Sequence, residues 1–342
     1  MSTPPLKFSI RKVLQKPRHS HRATLSFSKI KSYPRTLGAQ RISRAGSSSK
    51  SNLIVIVGPT ASGKSDLAVR LAKKFNGEII SADSRQVYRG LDIGTGKITK
   101  KEMRGIPHYL LDVVRPKKQF NVTHFTKLAD EKIKKIIARG KTPIVVGGTG
   151  FWIDALIFGS VFPEVPPNPL LRRKLEKKSA RELFLMLVNL DPKRARAIDA
   201  KNPRRLIRAI EIARALGKIP KLKKHDRYNT LWIGINPLPE ILREKIKTRL
   251  AARIHAGMIT EAKNLRKQGL AWKRFYELGL EYRFCADLLR KKISKEEFFQ
   301  KLLYAIVHYA KRQRTWFKRN SQIHWIANAA EAEKLTRKFL KK

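Results

Sequence analysis

One stretch of eight residues constrains this chain more than any other. Gly58-Pro59-Thr60-Ala61-Ser62-Gly63-Lys64-Ser65 fits the pattern G-x-x-x-x-G-K-[ST]. Before it runs Leu53-Ile54-Val55-Ile56-Val57, a β-branched run that reads as a buried parallel strand. After it comes Asp66–Phe75, with Leu67, Ala68, Leu71, Ala72 and Phe75 on one helical face. Strand, Gly-rich turn and helix in that order are the context a phosphate-binding loop requires. The glycines let backbone N–H groups turn inward around anionic oxygens, and the helix N-terminus adds partial positive charge. Lys64 suits a distal phosphate, and the Ser65 hydroxyl suits Mg2+. The motif reads a diphosphate and leaves the rest of the ligand open.

The neighbouring segments extend the frame. Glu78–Ser81 and Pro143–Val146 read as further strands, and Phe125–Arg139 as a helix. This alternation predicts an α/β fold with an open parallel sheet. The texture changes after Gly159. A Pro-rich break, Pro163–Pro169, precedes a stretch from Leu170 to Leu216 that is helical throughout in pattern. Leu231–Ile235 restores a strand, and Ile241–Gln268 and Lys295–Phe317 read as long helices. The expected organisation is a P-loop NTPase-like α/β core over 53–160 and 229–342, with an all-helical insertion over 161–228.

Residues 1–52 stand apart. They hold 12 Lys and Arg and no acid, with many Ser and Pro and no sustained apolar period. Such a segment is expected to be disordered. An acid-free, Arg- and Ser-rich N-terminus is also the look of an organelle transit peptide. The whole chain carries 76 Lys+Arg against 26 Asp+Glu, a net charge of +50. That favours an anionic partner, nucleic acid or a phosphorylated substrate, against the plainer reading of a general basic bias. The single cysteine, Cys285, excludes an intramolecular disulfide and a Cys-rich zinc site. No apolar stretch approaches the ~20 residues of a membrane helix. The eight histidines show no metal-ligand spacing.

Four further groups are candidates for chemistry. Asp83, in Asp83-Ser84-Arg85-Gln86, follows the second predicted strand at the edge where open α/β sheets place their sites. It could accept a proton from a nucleophile, or be a turn or capping Asp. Thr149, in Gly147-Gly148-Thr149-Gly150, could meet a ligand oxygen or cap the next helix. Arg204, Arg205 and Arg208 lie along one segment, with Arg204 and Arg208 a turn apart, a face for phosphates or simply a solvated surface. Lys311–Phe317 mixes Lys and Arg with Trp316 and Phe317, either a stacking site for a nucleic-acid strand or the end of a core helix.

Together these pieces resemble the tRNA dimethylallyltransferase (isopentenyltransferase) family over 53–326. The matching motifs are Gly58–Ser65, Asp83–Gln86 with Tyr88, Gly90–Thr95, Pro107–Asp112, Val146–Thr149, Asn202–Leu206 with Arg208, and Lys311–Gln313 with Thr315 and Trp316. The resemblance implies transfer of a dimethylallyl group from dimethylallyl diphosphate to the exocyclic amine of the adenosine 3′-adjacent to the tRNA anticodon, with Mg2+. It implies that the Gly58–Ser65 loop and Arg249 hold the diphosphate, with Thr60 at the bridging oxygen and Asp83 as general base. Thr149 and the Asp83–Gln86 segment would meet the target nucleotide, while Arg172, Arg204, Arg205 and Arg208 would hold the tRNA. A monomer is expected. The likeness to the compact bacterial form implies a cytoplasmic enzyme, with an organelle as the alternative if the N-terminus is a transit peptide. Two departures stand out: Arg204 replaces a usual Gln, and Leu278-Gly279-Leu280-Glu281-Tyr282-Arg283 replaces a usual Ile-Gly-Tyr-Lys. The competing readings are an isopentenyltransferase of free adenine nucleotides, a P-loop small-molecule kinase, and a non-catalytic RNA-binding protein. The helical insertion argues against the first. Intact Lys64, Ser65 and Asp83 argue against the last.

Overall fold

The computed structural model describes residues 50–160, 162–220 and 225–341. The expectation of disorder or targeting for residues 1–52 therefore falls, up to residue 49, outside the described residues.

The predicted strand is β1 (Asn52–Val57), and its last five residues are fully buried. Leu53, Val55 and Val57 face one apolar cluster, and Ile54 and Ile56 the other. Burial on both faces is why the sequence shows a continuous apolar run rather than alternation. The sheet has six strands in the order β3-β2-β4-β1-β5-β6, paired in parallel. They are β2 (Gly77–Ser81), β3 (His108–Tyr109), β4 (Thr142–Gly147), β5 (Asn229–Ile235) and β6 (His324–Ile326). The two edge strands are too short to leave a periodic signal, and the sequence reading did not include them.

Helix α1 (Lys64–Lys74) covers one face of the sheet, and α3 (Val122–Ala138) and α4 (Gly150–Ile157) cover the other. A four-residue α2 (Lys100–Met103) precedes β3. The pairing register puts Val57 beside Gly147, and Val146 beside Ser81. Three strands thus end flush, and the loops after β1, β2 and β4 leave from one edge. Closeness there demands glycine: a methyl on Gly147 would lie 2.2 Å from the Ala82 carbonyl oxygen.

Two helical readings need correction. The stretch 170–216 is four helices, α5 (Pro169–Leu175), α6 (Ala180–Leu190), α7 (Pro192–Ala197) and α8 (Pro203–Leu216). Ser179, Asp191 and Asn202 each accept a backbone N–H as N-caps, and Pro192 and Pro203 open new helices. These helices share an apolar cluster of their own, with Leu175, Leu183, Leu187, Leu206 and Ile210 inside. Likewise 241–268 is not one helix. It is α9 (Pro239–His255) and α10 (Met258–Lys267), because Gly257 at φ 102° breaks the run. Helices α11 (Trp272–Leu278), α12 (Leu280–Leu289), α13 (Lys295–Phe317) and α14 (Ala329–Leu340) complete the described chain. The α13 bounds match the sequence reading.

Candidate active site

The Gly58–Ser65 loop joins β1 to α1 and is braced from below. A methyl on Gly58 would lie 2.6 Å from the Ile235 carbonyl oxygen, so β5 closes the loop's floor. Ala61 and Gly63 both have positive φ, 62° and 90°, which turns the chain back before α1 begins. The Lys64 ammonium donates to the Pro59 carbonyl at 3.0 Å, across the loop. Burial, offset in part by Asp83 and reinforced by Arg249, lowers its pKa to about 8.

A second brace comes from the far end of the chain. Gln313, buried on α13, accepts the Thr60 N–H at 2.8 Å and donates to the Gly148 carbonyl at 2.9 Å. One amide thus ties the loop after β1 to the loop after β4. A methyl on Gly148 would lie 2.1 Å from the Gln313 amide nitrogen, and one on Gly150 would lie 2.2 Å from the Trp316 ring. The glycines of Gly147–Gly150 therefore serve close contact between three elements. Trp316 donates its indole N–H to Asp154 at 3.0 Å, and Phe317 is buried. The aromatics of Lys311–Phe317 are packing residues, while Lys311 and Arg312 stay exposed on the same helix.

Asp83 sits just beyond β2. Its Oδ1 accepts the backbone N–H groups of Arg85 at 2.8 Å and Gln86 at 3.2 Å. It is a turn residue, and it also lines the same cleft as Lys64. The two readings of Asp83 are compatible, since a turn holds the carboxylate in place. Thr149 does not cap α4 with its side chain; its hydroxyl oxygen accepts the Ser84 N–H at 3.1 Å. The loops after β2 and β4 are thereby joined.

These loops border a cleft of about 310 Å3, whose lining includes Ser84 but not Thr149 itself. Thr60, Lys64, Ser65, Asp83, Ser84, Arg85, Gln86 and Arg249 line it, with Arg253, Tyr309, Arg312 and Gln313. Ile246, Leu278, Leu280 and Ile306 supply apolar wall. Arg249 reaches the cleft from α9, and burial followed by its neighbour Arg253 lowers its pKa. Burial raises the pKa of Tyr309 and of Glu281. A larger open groove of about 710 Å3 opens beside Gly63, lined by Asp66, Glu240 and Glu244 together with Lys245 and Arg249. Lys64, Ser65 and Asp83 are not among its lining residues. The smaller cleft, with its cations, is the candidate site.

The remaining predicted residues lie on the helices of the 161–228 span. Glu211 is buried in α8 and needs partners there. Burial opposes its ionisation, but Arg172 and its other donors outweigh that and hold its pKa below the usual value. Arg172 grips it with two hydrogen bonds of 2.8 and 2.7 Å. Arg208 adds a contact at 3.3 Å and donates to the Val165 carbonyl at 2.8 Å. Arg204 and Arg205 are exposed. The predicted quartet is thus divided between two braces and two outward cations.

Sequence reasoning missed several cleft groups. Gln313 carried a signal: it is the one amide on a stripe of buried Leu302, Ile306, Ala310 and Phe317, at helical spacing. Arg253, Glu281 and Tyr309 had none, because only the packing of α9, α12 and α13 brings them together.

The comparisons with known proteins agree with one another. A family model described as IPP transferase matches residues 86–320. The tRNA dimethylallyltransferase 1 of Geotalea daltonii is 43% identical over 284 residues, 82% of this chain and 92% of that protein. The crystal structure of a full-length tRNA isopentenylpyrophosphate transferase from Bacillus halodurans aligns with TM-score 0.66 and 36% identity, covering 85% of this chain and 97% of that one. A eukaryotic dimethylallyltransferase acting on tRNA aligns with TM-score 0.69 and 28% identity, over 78% of this chain and 70% of that one.

Proposed function

The chain belongs to the IPP transferase family, and from that premise we propose how its cleft works. It modifies tRNA by dimethylallyl transfer. The donor is dimethylallyl diphosphate. Its diphosphate sits in the Gly58–Ser65 loop against Lys64 and Arg249, and its prenyl group lies on the apolar wall of Ile246, Leu278, Leu280 and Ile306. The observation that carries this reading is the two-sided lining, cations beside aliphatics, with Asp83 on the same cleft. The aliphatic half matches a short prenyl chain beside the diphosphate.

The acceptor is the exocyclic amine of the adenosine beside the anticodon. That base leaves its stack to enter the cleft. Its nitrogen bonds to the allylic carbon, the carbon–oxygen bond breaks, and the diphosphate departs with the electron pair. Asp83 takes the amine proton. Thr60 lies at the bridging oxygen, and Thr149 and the Asp83–Gln86 segment hold the nucleotide. Lys64, Arg249 and the loop amides receive the charge that develops on the leaving group.

Magnesium fits this site. Among the described residues no cluster of three or more His, Cys, Asp or Glu could cage a metal. Mg2+ takes most of its ligands from phosphate and water, so one protein oxygen suffices, and Ser65 on the cleft wall supplies it. When bound, the ion neutralises diphosphate charge.

Arg204 and Arg205, the latter in a long 4.0 Å pair with Asp199, present exposed cations to the tRNA backbone, while Arg172 and Arg208 hold α5 and α8 in place through Glu211. Replacing both Arg204 and Arg205 with Ala is expected to lower the slope of log affinity against log salt by about two. Filter binding across a salt series measures it. One chain supplies every group named, so a monomer suffices. Similarity to bacterial relatives supports a cytoplasmic enzyme, and among the described residues no helix is long and apolar enough to cross a membrane.

The deciding assay offers labelled dimethylallyl diphosphate with unmodified tRNA or with AMP. Label is expected in tRNA alone. Label in AMP alone would establish the free-nucleotide reading, and phosphate transfer from ATP with neither product would establish the kinase.

A further inference from the structure

The break at Gly257 has a structural consequence for the cleft. It points α10 so that Glu261, in its first turn, reaches back to the loop Gly90–Gly96. The Glu261 carboxylate accepts three consecutive backbone N–H groups, those of Asp92 at 2.9 Å, Ile93 at 2.7 Å and Gly94 at 3.0 Å. It also accepts the Tyr282 hydroxyl at 2.7 Å. All four of these partners lie outside α10. The three N–H groups form a concave nest of the kind that binds anions, and Glu261 fills it from within the chain.

The other side of that loop faces the cleft. The Gly94 carbonyl accepts Arg253 at 2.7 Å, so this residue is held by its N–H from α10 and by its oxygen from α9. Gln86 donates to the Gly96 carbonyl at 3.3 Å. Arg253 and Gln86 both line the cleft. There is no slack at Gly94, where a methyl would lie 2.7 Å from the Tyr282 oxygen. Arg253 in turn pairs with Glu281 at 3.2 Å, and it lines the cleft with Arg249, one turn earlier on α9.

We propose that Glu261 is a positioning residue for the diphosphate end of the site. By anchoring the Asp92–Gly94 amides it fixes the loop whose Gly94 and Gly96 carbonyls hold Arg253 and Gln86 on the cleft wall. It touches neither substrate. The proposal rests on the reading of the cleft as a diphosphate site.

The test uses the full chain carrying Glu261→Ala or Glu261→Gln. Affinity for inorganic pyrophosphate is measured by calorimetry, and KM for dimethylallyl diphosphate and for tRNA are measured separately. Glu261→Ala is expected to weaken pyrophosphate binding and raise the donor KM by about tenfold, because a displaced guanidinium loses most of its directed contact. The tRNA KM stays within about twofold on the same argument. Glu261→Gln keeps an acceptor oxygen without the charge and falls between. Acetate at high concentration restores part of the Glu261→Ala loss by refilling the nest, which a general loss of stability would not permit. Unchanged pyrophosphate affinity in folded Glu261→Ala overturns the proposal, as does an equal rise in both KM values. If Glu261→Ala does not fold, Glu261→Gln decides by the same comparison. A wild-type protein that binds pyrophosphate yet transfers no prenyl group would defeat the functional reading alone.

Discussion

Asp83→Asn is expected to lower kcat by about 10²–10⁴-fold while leaving pyrophosphate and tRNA binding intact. The choice of Asn follows from the turn. Asp83 Oδ1 accepts the N–H groups of Arg85 and Gln86, so Ala would release the loop as well as remove the proposed base. An Asn side-chain oxygen keeps both bonds and the volume, and it cannot take a proton. Single-turnover rates with saturating donor and tRNA separate chemistry from binding. Should Asp83→Asn keep its rate while Asp83→Ala loses it, the carboxylate is a loop anchor and some other group accepts the proton. Loss of tRNA binding in Asp83→Asn would make it a recognition residue instead.

The second large effect belongs to Lys64. Replacing it with Met keeps the length and removes the charge proposed to face the leaving group. Preorganised charge of this kind is worth about 10²–10³ in kcat. The pH dependence adds an independent check. Burial lowers the Lys64 pKa to about 8, so the free enzyme loses this charge as pH rises through that value. The ammonium is favoured by an arriving diphosphate, so binding of pyrophosphate should take up protons near and above pH 8 and weaken as pH rises further. Calorimetry in buffers of different ionisation heat measures the proton uptake. The sign for folding is the opposite one. Lys64 binds its proton less tightly folded than unfolded, so its burial disfavours the folded state at neutral pH, and this penalty is relieved between about 8 and the ordinary lysine pKa of 10.5. Lys64→Met should lose the proton uptake. If it persists, another group is responsible.

How much was legible differed from residue to residue. Strand β1, the loop and α1 could be read directly because their signals are contiguous: a buried run, glycines, then a periodic apolar face. Helix α13 was legible for the same reason. The breaks within 170–216 and at Gly257 were not. A helical period survives a cap and a single glycine when the apolar face on both sides stays in phase. Edge strands β3 and β6 were invisible because two or three residues make no pattern.

The candidate site divides along the same line. The residues themselves marked Lys64, Ser65, Asp83 and Thr149 as candidates, and the resemblance added Arg249. Neither reading said what holds them. Arg172 and Arg208 looked equivalent to Arg204 and Arg205 in sequence, since nothing local shows that Glu211 is buried and requires two guanidinium partners.

What the sequence determined by itself was the phosphate-loop motif and the kind of sheet that presents it. A phosphate loop is built from adjacent residues, and its chemistry survives being read one residue at a time. What only the tertiary structure decided is how rigid that loop is and what faces it. Thr60 and Gln313 are 253 positions apart, yet a single amide joins them. Glu261 grips Gly94 from a helix that begins only because Gly257 turns the chain. Contacts of that separation carry no periodic trace. They exist once the sheet edge brings three loops together and buried polar groups must find partners there.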